Sequence, residues 1–149
     1  NYIRNKQSLP YKIILLAPAL NQRDLLRYWF VGSSMAKKDS TVKITWDNYL
    51  EYLDENEFIK DAKRKGKMAK AHYINPEYTL ESVSTDYSNL FTGFENSILV
   101  IHGDKDDKVP LKSIKFKLPN TIIINGGDHD LEKPNAQEQW ISKVVDFLK

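Results

Sequence analysis

Ile98-Leu99-Val100-Ile101-His102-Gly103-Asp104 and, further along, Thr121-Ile122-Ile123-Ile124-Asn125-Gly126-Gly127-Asp128-His129 are the stretches whose reading decides the fold. Each opens with four consecutive apolar or β-branched residues and ends in glycine and aspartate. That pattern lacks the alternation of a half-exposed sheet and predicts short, buried strands closed by turns. The segment between them is long enough for a parallel crossover, which needs about ten to twelve residues. A third run of the same kind, Ile13-Ile14-Leu15-Leu16-Ala17, ends at Pro18. After His129, Trp140, Ile141, Val144, Val145 and Leu148 recur at helical spacing as one apolar stripe. Asn135 is the expected N-cap of that helix, with Pro134 before it and Glu138 three residues on as in a capping box. Strand, crossover, strand and helix predict an α/β fold with a parallel sheet.

Between the first two strand runs the pattern changes. Residues 21–92 contain no strand-like run and several helical ones. Leu25, Leu26, Trp29 and Phe30 share one face; Trp46, Tyr49, Leu50 and Leu53 share another, with Thr45 as cap. Phe58, Ile59 and Ala62 begin a third that enters the basic segment Lys60 to Lys70. About seventy residues is far more than a crossover requires. The expected organisation is therefore a core from residues 1–20 and 93–149, with a helical lid or cap insertion at 21–92 standing over one end of the sheet.

Composition bounds the function classes. For 149 residues and 17.3 kDa, surface scaling gives about 69% burial on folding, enough for one core and too little for two. Three Trp, eight Tyr and six Phe, with 41% apolar residues, exclude general disorder. The longest apolar run, Ile13 to Leu20, is broken by Pro18 and is far shorter than the roughly twenty residues of a membrane span. Zero cysteines exclude a disulfide scaffold, a thiolate zinc site and a cysteine nucleophile. A net charge of +2 makes no strong demand for nucleic acid. No signal peptide follows Asn1, and the expected location is cytoplasmic.

The densest chemistry lies in Gly103-Asp104-Lys105-Asp106-Asp107-Lys108-Val109-Pro110 and in Gly126-Gly127-Asp128-His129-Asp130. Both follow the carboxyl ends of strands expected to be neighbours, and neighbouring strands lie about 4.8 Å apart. In open α/β sheets this is the edge where ligands bind. An Asp from one loop and a His from the next can form the orienting half of a nucleophilic triad. The carboxylate accepts one imidazole N–H and stabilises the cation, and the other nitrogen serves as base.

These segments resemble the α/β-hydrolase superfamily. Ile98 to Pro110 is similar to that family's strand followed by a G-x-x-D-x-x-V-P turn, filled here by Gly103, Asp106, Val109 and Pro110. Gly127-Asp128-His129 resembles its glycine-rich turn ending in the catalytic histidine, and Leu16-Ala17-Pro18-Ala19 the strand end that follows the nucleophile helix. The likeness covers residues 12–20 and 97–149 and is only positional over 21–96. It implies that Asp106 is the triad acid and His129 the base of a serine hydrolase acting on an ester, thioester or related acyl bond, with no cofactor. The chain departs from the family in one respect. The G-x-S-x-G elbow belongs before the strand that Ile13 begins, and residues 1–12 hold none. The resemblance thus implies a carboxyl-terminal portion, with the serine and the first oxyanion donor upstream of Asn1. It makes the missing amino-terminal part of the same protein a partner.

Other residues receive plainer readings. Gly32-Ser33-Ser34-Met35-Ala36 fits a loose elbow pattern but lacks a preceding strand, and is expected as a lid loop. Asp104 and Asp107 are expected as turn-forming carboxylates, His102 as a structural residue at a strand end, and His72 as a solvated or lid histidine. Lys60, Lys63, Arg64, Lys65, Lys67 and Lys70 read as one wet helix face, and Trp29, Phe30, Trp46 and Tyr49 as lid packing that could also accept an acyl chain. Two other classes stand beside the hydrolase: a non-catalytic binding module, and a divalent-cation site at the acidic sheet edge. An EF-hand is excluded, because its fifth position is Lys108 and no loop glycine follows.

Overall fold

The computed structural model describes residues 12–69, 81–115 and 120–149. They form two compact units, one from the segments up to Leu20 and from Tyr87 onward, the other from Asn21–Asp86.

The first unit is built on a three-stranded parallel sheet, β1 (Ile13–Leu16), β2 (Ile98–Gly103) and β3 (Thr121–Ile124), in the order β1-β2-β3. Ile13 stands beside Ile98 and Leu16 beside Ile101; Val100 stands beside Thr121 and Gly103 beside Ile124. Mixed α/β architecture with a parallel sheet is therefore present. Burial differs from the expectation of three buried strands. Every residue of β2 is buried, but Leu16 and Ile123 are about half exposed. Among the described residues only the central strand is paired on both edges. Side chains alternate across the sheet. Leu99, Ile101 and Ile124 face a core with Leu131 and Ala136, and Ile98 and Val100 face another with Phe91.

The closing helix is α3, which runs over Pro134–Leu148. It begins two residues earlier than expected: Lys133, not Asn135, is its N-cap, and no capping box forms. Proline suits the first helical position, where its missing N–H has no partner to lose and its φ is preset. The expected single apolar stripe is divided. Trp140, Val144 and Phe147 pack on the core, whereas Ile141, Val145 and Leu148 are about half exposed.

The second unit carries α1 (Gln22–Lys38) and α2 (Glu55–Ala69). Asn21 caps α1, with its side-chain oxygen accepting the Asp24 N–H. Asp24 near the start and Lys37 and Lys38 at the end complement the helix dipole. Gly32-Ser33-Ser34-Met35-Ala36 lies inside α1, so the expected loop is helix instead. One glycine costs only about 1 kcal/mol against a long run of helix formers. The helix expected around Trp46 to Leu53 shrinks to a 3₁₀ turn at Tyr49–Tyr52. Asn48 is the cause: its side chain accepts the Thr45 N–H at 2.7 Å and donates to the Lys43 carbonyl, offering the backbone an alternative to helix. Trp46, Tyr49 and Tyr28 nonetheless cluster, with centroids 5.1–5.9 Å apart, Tyr28 meeting the other two rings edge to face. Arg27 joins the two helices. Its guanidinium pairs with Glu55, donates to the Val83 carbonyl at 2.7 Å and lies 4.6 Å from the Phe58 ring.

Candidate active site

The site is assembled at the carboxyl ends of β2 and β3, where two glycines let the backbones touch. A Cβ on Gly103 would overlap the Gly127 carbonyl and meet the Asp128 carbonyl oxygen at 2.6 Å. A Cβ on Gly127 would press on Ile124 at 2.9 Å. Hydrogen bonds stitch the contact. Asp104 N–H donates to the Ile124 carbonyl at 3.1 Å, Lys105 N–H to the Gly127 carbonyl at 2.9 Å, and Gly126 N–H to the Asp104 carboxylate at 2.7 Å. Gly126 itself has φ +71°, a conformation that glycine adopts without steric cost.

From this base the acid loop folds over its own carboxylate. Asp106 Oδ1 accepts the Lys108 and Val109 N–H groups at 3.0 and 2.8 Å, an Asx turn that fixes the side chain. Its other oxygen, Oδ2, accepts Nδ1–H of His129 at 2.8 Å. The Asp106 side chain is fully buried and that of His129 about one-third exposed. The expected acid and base are thus hydrogen-bonded to each other. With Nδ1 carrying the proton, the neutral His129 ring has its lone pair on Nε2, which makes no hydrogen bond among the described residues.

The histidine loop is held from both sides. Asp128 accepts the Leu131 N–H at 3.2 Å and pairs with Lys133 at 2.7 Å; Lys108 of the acid loop reaches Asp130 at 3.4 Å. Lys133 holds the Asp128 carboxyl below its usual range. Leu131 is buried with φ +54°, a left-handed conformation costly for a branched side chain and paid for by its place in the core.

His102 was expected as a structural residue, and it is wholly buried beneath the pair. Its Nε2–H donates to the Val109 carbonyl at 2.8 Å and lies 3.5 Å from Asp106 Oδ2. Its Nδ1 is buried without a partner among the described residues. A cationic ring would carry a second N–H there with no acceptor among the described residues, and burial pushes the His102 pKa down. This imidazole is neutral packing under the acid turn. The sequence offered no signal for it beyond a histidine at a strand end.

The acidic edge does not gather into a metal site. Asp104 is engaged by Gly126, Asp128 by Lys133 and Leu131, and Asp130 by Lys108. No group of three or more His, Cys, Asp or Glu residues able to hold a metal ion occurs among the described residues, so the cation alternative has no donor set there. His72 lies outside the described residues. Lys60, Lys63, Arg64 and Lys65 are exposed along α2. No described helix is long and apolar enough to cross a membrane. Comparison with known proteins finds no matching family model, curated protein or solved structure.

Proposed function

We propose that Asp106 and His129 are the acid–base half of a serine-hydrolase triad that cleaves an ester, thioester or related acyl bond, the serine lying ahead of Asn1. The observation that carries this reading is the 2.8 Å hydrogen bond from His129 Nδ1 to Asp106 Oδ2. That bond selects the tautomer a general base needs. His129 Nε2 takes the proton of the serine hydroxyl as its oxygen forms a bond to the acyl carbon. Asp106 steadies the imidazolium, which returns the proton to the departing alkoxide or thiolate. Water then repeats the cycle on the acyl-serine, releasing the acid and restoring the serine. The inserted unit at 21–86 occupies the chain position of a lid.

Two measurements test the proposal. In protein that includes the sequence ahead of Asn1, Asp106→Asn should lower kcat on p-nitrophenyl esters by about 10⁴, as loss of the orienting acid does in a worked protease case. His129→Gln should be at least as damaging. Substrate binding without turnover by the unaltered protein would favour the binding-module alternative. The 149-residue chain alone, shown folded by circular dichroism, should take no label from a serine-reactive phosphonate. Stoichiometric label on Ser34 would overturn the placement of the serine, because Ser34 lies within helix α1.

A further inference from the structure

A cleft runs between α1 and α2, entirely within the 21–86 unit. Its inner part, about 150 Å³, is lined by Leu26, Trp29, Phe30, Phe58, Ala62 and Val83. Its outer part, about 410 Å³, shares Phe30 and Asp61 with the inner one and is bordered by Ser34, Lys38, Glu57, Lys60 and Arg64. One end is therefore greasy and the other ionic. Counting Lys65 of the inner part, four cations face two carboxylates. Arg64 and Lys65 both bind Asp61, at 2.7 and 2.8 Å, and Lys60 binds Glu57 at 2.7 Å. Lys38 makes no ion pair among the described residues.

We propose that this cleft binds a single-chain amphiphile with an anionic head, such as a free aliphatic carboxylate, its tail against Leu26, Trp29 and Phe30 and its head beside Lys38, Lys60 and Arg64. The tail displaces water from Leu26, Trp29 and Phe30, which the helices leave partly exposed, the ordinary drive for ligand burial. The excess of cations at the mouth selects the sign of the head. A lipid surface fits less well. The apolar residues Phe58 and Ala62 of α2 are buried, so that helix keeps its hydrophobic side inside the unit and has no apolar face to lay into a bilayer. The inference stands on the helical unit alone and is independent of the proposed hydrolase chemistry.

Isothermal titration calorimetry of the 149-residue chain with dodecanoate, below its micelle concentration, tests it. Saturable binding at one site per chain is expected, with dodecyltrimethylammonium binding at least about tenfold more weakly because it presents the wrong charge to the mouth. Ser34→Trp should abolish binding by filling the outer cleft. Lys38→Glu, an exposed change that leaves the core untouched, should weaken it roughly five- to tenfold. Absence of dodecanoate binding, equal affinity for the cationic amphiphile, or full affinity in Lys38→Glu would overturn the proposal. So would binding to phosphatidylglycerol vesicles without saturable binding of the monomer.

Discussion

His102 shows how one buried side chain can tie stability to pH. Its donor goes to the Val109 carbonyl, and its second nitrogen has no acceptor within the fold to receive a proton. Burial lowers its folded pKa below the unfolded value of about 6.5. Below that pH the unfolded chain takes up a proton that the folded chain refuses. Stability from this group is thus complete above pH about 6.5 and is lost as pH falls toward the folded pKa, at up to ~1.4 kcal/mol per pH unit. His102→Gln keeps an N–H donor but cannot titrate. Its unfolding midpoint in urea should fall less between pH 7 and pH 5 than that of the unaltered chain; equal slopes would refute the assignment. The pairing of Asp106 with His129 was legible from the loops that carry them. His102 was legible as a structural residue but its hydrogen-bond partner was not, because that depends on where the Val109 carbonyl comes to rest.

Elements were legible where hydrophobic period and length agreed, and misread where local polar groups intervened. Parallel β2 and β3 followed from two β-branched runs with a long connection. The missing helix near Trp46 reflects Asn48, whose amide captures backbone groups that a periodicity argument assumes are free. Burial along β1 and β3 was overestimated because runs of isoleucine and leucine do not reveal which strand lies at an edge. Two predictions belong to this scale. Asn21→Ala removes the cap of α1 and should cost about 1 kcal/mol in urea unfolding, since Asn21 is itself 1% exposed. Gly103→Ala forces a methyl group into the Gly127 carbonyl and should cost about 3 kcal/mol or more. A loss under 1 kcal/mol would show that the two loops separate readily.

Over the whole chain, the described residues divide into two units whose boundaries fall at Leu20 and Tyr87. Each has its own core residues: Ile98, Ile101 and Ile124 in one, Leu25, Val31 and Phe58 in the other. Hydrogen exchange should report them separately. Val100→Ala should speed amide exchange mainly in β1–β3, and Leu25→Ala mainly in α1 and α2, each costing about 1–4 kcal/mol locally. Uniform loss of protection from either change would show one cooperative block.

The contact between Gly103 and Gly127 has a consequence for anyone who would transplant the Asp106–His129 pair. The two segments meet backbone to backbone, so the spacing of Asp106 and His129 is gauged by main chain touching main chain. Residues 103–110 and 126–131 therefore form a single cassette. Grafted together onto two adjacent parallel strands, they carry their own ruler; grafted singly, either loop arrives without the surface that tells it where to stop.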